Sequence, residues 1–214
     1  MYVNNPCENM VRKTKAEAEQ TRQQIIDAAR AVFAEKGVSR TTIDTIAKAA
    51  GVTRGAVYWH FENKEALFHA MREQVMLPLL DQFDDTLFGD PGADPLQTVE
   101  VFYLSMFAAL ENDSVMREIY EIMILKCEFV DEFAPVLQGM IGHCSEIVTK
   151  LTRVYARAAE LGQLRPGVEP QGLARDTYLF VGGLLKTWLA DQESIVIRPY
   201  TRQLIAQHLQ LRRK

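Results

Sequence analysis

Residues 53–64, TRGAVYWHFENK, place Tyr58, Trp59, His60 and Phe61 in a row between an arginine and a lysine. An arginine guanidinium is a planar fork that matches guanine O6 and N7, and a tyrosine can touch a thymine methyl or a phosphate. On a helix over 53–61, Val57 and Phe61 lie four apart and point to one side. Arg54, Tyr58 and the edge of Trp59 lie on the other. Gly55 and Ala56 are small enough to let the helix backbone approach the floor of a major groove. Val57 and Phe61 read as core, Arg54 and Tyr58 read as base and phosphate contacts, and Trp59 fits either side.

The elements that would hold such a helix are legible around it. Ala47, Gly51 and Val57 fall in the spacing A-x3-G-x5-V: a small residue where two helices cross, a residue tolerant of positive φ at the turn, and a β-branched anchor facing inward. Thr42 caps a short helix whose buried face is Ile43, Ile46, Ala47 and Ala50, and Thr53 caps the next. Before them, Ile25, Ala28, Ala29, Val32 and Phe33 form a stripe on a helix over 15–36 that Gly37 ends. His60, Thr42 and Lys64 sit at helix ends, where phosphate contacts are made. The expected DNA-facing set is Thr42, Thr53, Arg54, Gly55, Tyr58, Trp59, His60 and Lys64.

Beyond this unit Asn63 caps a helix to about 88, which contains Pro78. After the turn-rich GDPGADP, helices are expected over 94–111, 114–129, 133–161, 170–191 and 199–211. That makes an all-α chain of about nine helices, with strand signals nearly absent and no repeat. With 214 residues and 48% apolar content it can bury a sizeable core. The net charge of −4 divides into +2 over residues 1–69 and −6 over the rest, a basic end on an acidic body. No run of about 18 apolar residues and no secretory h-region occurs, so a cytoplasmic protein without membrane contact is expected. Cys7, Cys127 and Cys144 lack the paired spacing of zinc or disulfide frameworks, and His60, His69, His143 and His208 are scattered. Neither a metal nor a cofactor is expected.

The first 70 residues resemble the DNA-binding domain of the TetR family of bacterial repressors, whose motif ends in a Tyr-x-His-Phe-x-x-Lys pattern matched by Tyr58, His60, Phe61 and Lys64. MVRKTKAEAEQTRQQIIDAA, GVTRGAVYWHF and the stretch around KCEFVDE are similar to the AcrR/TtgR-like branch that represses multidrug efflux pumps. The resemblance spans nearly the whole chain and implies a three-helix helix-turn-helix domain over 10–70 and a ligand-binding and dimerisation domain over 71–214; it offers Met10 as a translation start beside Met1. The partners it implies are palindromic double-stranded operator DNA, a hydrophobic, aromatic effector, and a second copy of the chain.

The resemblance also implies pocket positions: Met76, Val99, Phe102, Tyr103, Met106, Tyr120, Met123, Ile124, Cys144, Ile147, Leu151, Tyr178, Val181 and Leu185. Taken singly, such apolar positions suit ordinary core. Together they form a Met- and Tyr-rich set of the kind that lines adaptable pockets. The chain departs from some relatives at Gly182, where they carry a polar residue, and at Tyr120, where they carry asparagine. Tyr178, Gly182, Leu185 and Leu189 share a stripe on the penultimate helix, and Leu204, Ile205, His208 and Leu209 share one on the last. With the family's four-helix dimer bundle in view, Gly182, Leu189, Leu204, Ile205, His208 and Leu209 are expected at a homodimer interface. Two other readings stay open: a repressor switched by oxidation of Cys127, and a small helical enzyme, for which no phosphate loop, nucleophile elbow or metal spacing speaks.

Overall fold

A computed structural model describes residues 14–90, 92–130 and 133–214. Cys7 and the alternative start at Met10 lie outside them. The described residues form nine α-helices: α1 (Lys15–Lys36), α2 (Ile43–Ala49), α3 (Arg54–His60), α4 (Lys64–Phe88), α5 (Pro95–Asn112), α6 (Ser114–Leu125), α7 (Ala134–Glu160), α8 (Pro170–Ala190) and α9 (Thr201–Gln210). Extended pairing among them is a single bridge between Leu164 and Arg213.

The helix starts follow from local chemistry. The hydroxyls of Thr42 and Thr53 and the side-chain oxygen of Asn63 each accept from the amide three residues on, satisfying donors that a helix start leaves open. Gly51 turns the chain between α2 and α3 at φ 66°, where a Cβ would be strained. The expected extension of α6 to residue 129 is not found. The helix ends at Leu125, because the following residue leaves helical geometry to bond elsewhere: Lys126 accepts from the Val38 amide (3.1 Å) and donates its ammonium to the Ala34 carbonyl (2.7 Å).

α1, α2 and α3 pack together around Ile25, Phe33, Ile46 and Val57. α4 closes this group with Leu67, Phe68 and Met71, Phe68 lying edge-on to Phe33 and to Phe133. The same helix runs on without a break into a second group, where Phe83 meets Phe102 of α5 edge-on at 4.5 Å. α5, α6, α7 and α8 complete that group, the α7–α8 packing being the most extensive, and α9 lies against α5. Two further links join the groups: Arg30 of α1 pairs with Glu118 of α6 at 2.6 Å, and Gln74 of α4 donates to Gln23 of α1 at 2.8 Å.

Of the residues expected at a dimer interface, Gly182 is exposed and most of the others face inward. Leu189, Ile205, His208 and Leu209 are buried within their own chain, and Leu204 is half-buried. Helical periodicity marks the face that is covered, and here the chain itself covers it. His208 stacks on Phe180 at 4.0 Å and closes a buried chain of hydrogen bonds with Thr177 (3.0 Å) and, through it, Tyr155 (2.7 Å).

Burial, and then the nearby Arg212 cation, push His208 down to about 4. The folded protein therefore holds it neutral, whereas the unfolded chain protonates it at its ordinary value of 6.5. Its contribution to stability is complete above pH 6.5 and is lost progressively as pH falls toward 4, by up to about 3 kcal/mol. Thermal melts of wild type and His208→Gln should differ most at pH 7 and converge toward pH 4; parallel curves would refute the assignment.

Candidate DNA interface and ligand cavity

Two sites emerge, one at each end of α4. At the first, α3 sets Val57 and Phe61 into the core and leaves the other edge open. Trp59 is 72% exposed and Tyr58 is 44% exposed, which resolves the open choice for Trp59 in favour of the surface. Arg54 is oriented by two neighbours: its guanidinium donates to the Tyr58 hydroxyl at 3.2 Å and to Asp44 of α2 at 3.3 Å. A fork held in one direction loses less freedom on meeting a base edge. Thr42, Thr53 and Gly55 are exposed at the starts of α2 and α3, and His60 lies half-buried with its ring edge-on to Trp59 at 4.4 Å. A Cβ on Gly55 would meet only the Thr53 hydroxyl, at 3.9 Å, so this edge of α3 is open for approach.

Lys64 is the correction. Its side chain turns inward and its ammonium donates to the carbonyls of Val38 and Thr41 at 3.1 and 3.0 Å, above the ring of Phe133 at 5.2 Å. Three-donor ammonium geometry suits a loop whose carbonyls converge, and the cation is engaged there instead of standing exposed as a phosphate contact. It holds the loop between α1 and α2, and thereby the seat of α3.

At the second site, α4, α5, α6, α7 and α8 enclose a cavity of about 360 Å³. Twelve expected positions line it: Met76, Phe102, Tyr103, Met106, Tyr120, Met123, Ile124, Cys144, Ile147, Tyr178, Val181 and Leu185. Val99 and Leu151 do not; both are fully buried, one turn from the lining residues Phe102 of α5 and Ile147 of α7. Gly182, expected at a dimer contact, is part of the lining. Phe83, Met140 and Arg72 also line the cavity and were not among the expected positions; Met140 belonged to the Met-rich set, but nothing in the apolar pattern marks an arginine. The hydroxyls of Tyr103, Tyr120 and Tyr178 are pushed up chiefly by burial and stay protonated as donors. Tyr120 directs its hydroxyl to the Met76 sulfur at 3.8 Å.

Cys127 is half-buried, and burial raises its thiol to about 11. The oxidation switch needs a thiolate near neutral pH, and this environment opposes one.

Comparison with known proteins identifies the family. Residues 25–71 match the profile of bacterial regulatory proteins of the tetR family, and residues 94–213 match that of the C-terminal region of MAATS-type transcriptional repressors. The chain belongs to the TetR family. Among relatives of this TetR-family regulator, the HTH-type transcriptional regulator TtgR of Pseudomonas putida is 37% identical over 190 residues, 87% of this chain and 88% of TtgR. The crystal structure of NalD, the secondary repressor of the MexAB-OprM multidrug efflux pump in Pseudomonas aeruginosa, superposes with a TM-score of 0.84 at 32% identity, covering 94% of this chain and 99% of NalD. A SmeT–triclosan complex matches with a TM-score of 0.79 at 31% identity, covering 91% of this chain and 92% of that one; SmeT is the repressor of the Stenotrophomonas maltophilia pump SmeDEF.

A pair of variants separates the two cations. Arg54→Ala should weaken operator binding about tenfold to a hundredfold and relax base preference, while leaving the melting temperature near that of wild type. Lys64→Met should lower the melting temperature by several degrees, roughly what 1–3 kcal/mol of unsatisfied carbonyls implies, with the salt dependence of DNA binding unchanged. A reversed pattern in fluorescence anisotropy and calorimetry would overturn both placements.

Proposed function

We propose that this regulator represses a multidrug efflux operon and leaves its operator when a hydrophobic, aromatic molecule fills the cavity. The reading rests on one observation: two of the helices that wall the cavity, α4 and α6, also hold α1. Met76 and Phe83 belong to α4, which is tied to α1 through Phe68 and Gln74; Tyr120, Met123 and Ile124 belong to α6, which is tied to α1 through Glu118 and Lys126. A ligand that displaces both helices displaces α1, and the edge of α3 moves with it. Pro78 lacks an amide to donate within α4, which places a point of bending beside Met76.

The DNA-binding unit of residues 10–70 and the ligand unit of residues 71–214 divide within α4. Repression by a protein of this kind acts in the cytoplasm, on a palindromic site, through a homodimer whose two recognition helices sit about 34–36 Å apart, or through a pair of such dimers on a longer site. The outward face of α8, with Leu179 71% exposed and Gly183 one turn on, is the surface that a second copy would cover, in place of the inward stripe. A monomer in sedimentation at micromolar concentration, with and without DNA, contradicts the dimer.

Release requires only a difference in affinity. A hundredfold loss of operator occupancy needs the ligand to favour the released form by about 2.7 kcal/mol. Met106 is 4% exposed on the cavity wall, so Met106→Trp fills the space a ligand would take. Operator binding should survive in this variant, while release by a panel of planar aromatic drugs should be lost or weakened tenfold or more. Unchanged release would move the effector site elsewhere.

A further inference from the structure

The cavity wall is mostly apolar, and its polar groups are the hydroxyls of Tyr103, Tyr120 and Tyr178, Cys144, His143 and one arginine. Arg72, on α4 between the Phe68 and Met76 turns, is 3% exposed and lines the cavity. Its Nη2 donates to His69 Nε2 at 3.0 Å. Because an arginine only donates, that bond assigns His69 as the tautomer whose Nδ1–H faces Glu73, 3.3 Å away. The rest of the guanidinium is left over. Its Nε is buried with no hydrogen-bond partner, and no carboxylate oxygen lies within 4 Å of the group among the described residues. Burial acts on it first, lowering its proton affinity, with Glu73 opposing from a distance.

No Asp or Glu appears among the described residues lining the cavity, so Arg72 is the one permanently charged group facing it among them. A buried guanidinium with an open donor is a costly arrangement for an apo protein, and the missing partner has a defined chemistry: an anion small enough to reach the α4 end, carried on an apolar body that fills the rest. The tyrosines cannot supply it, since burial keeps Tyr103 and Tyr120 neutral.

We propose that the effector is an anionic aromatic molecule, an acid such as a carboxylate or sulfonate on a planar ring system, whose charged group pairs with Arg72. This rests on the cavity being the effector site and adds its charge selectivity. Pairing at Arg72 also places the anion on the helix that carries the signal, one turn from Phe68, which packs against α1.

Two probes test this because they differ in one group. 1-Anilinonaphthalene-8-sulfonate carries an anion, and N-phenyl-1-naphthylamine is the same ring system without it. In fluorescence titrations wild type should bind the sulfonate about tenfold or more tighter than the neutral amine, the size expected of a charge-assisted buried bond. Arg72→Met keeps the length and removes the charge; it should abolish this preference while leaving the neutral amine bound as before, and Arg72→Lys should restore part of it. Melting curves confirm that each variant is folded, and Met106→Trp reports whether the probes occupy the cavity. Equal preference in wild type and Arg72→Met, with both probes excluded by Met106→Trp, overturns the role of Arg72 and leaves the cavity standing. Binding of both probes unaffected by Met106→Trp overturns the cavity reading itself, and this proposal with it.

Discussion

Everything in this fold depends on α4 being one unbroken helix that belongs to both helix groups. Its first turns supply Leu67, Phe68 and Met71 to the core beneath the DNA-facing edge, and its later turns supply Phe83 and Leu87 to the core of the larger group. A helix transmits displacement along its axis because each turn is bonded to the next, and a packed core resists gradual deformation. The two groups, which share one continuous core, are therefore not free to adjust independently. α6 adds a second connection through half-buried polar contacts, Arg30 to Glu118 and Lys126 to Ala34, which can shift or exchange partners more readily than packed rings can.

The DNA-facing edge was readable in the sequence because its determinants are local. Thr42, Thr53 and Asn63 declare helix starts three residues ahead, Gly51 declares a turn, and the four-residue interval from Val57 to Phe61 fixes which side of α3 is inside. Lys64 was misread because its direction depends on carbonyls of residues 38 and 41, more than twenty positions away, which no local pattern encodes. The same lysine shows how a position within a recognised motif can serve the motif from behind.

In the larger half, periodicity located the helices and most of the cavity wall, but it could not separate a residue facing an open space from one facing another side chain. Val99 and Leu151 obey the same spacing as Phe102 and Ile147 and are buried without lining the cavity. Arg72 escaped for the opposite reason: a pattern built on apolar residues passes over a cation, even one that is almost completely buried. The inward stripes of α8 and α9 show a further limit. An amphipathic pattern says that a face is covered and is silent on whether the cover is the chain's own or a second copy's.

The chain has two tryptophans, and the fold puts them in opposite circumstances. Trp59 projects into solvent from the edge of α3, whereas Trp188 is fully buried, beneath the Arg198 guanidinium at 4.1 Å and near Phe107 at 5.8 Å. Their intrinsic emissions must differ in colour, since an indole in water radiates to the red of one in an apolar core. The protein thus carries two native chromophores that answer separate questions. The red component is open to quenching by solutes and to shielding by a bound duplex, and the blue one registers the integrity of the α8 core and stays dark to collisional quenchers until the chain opens.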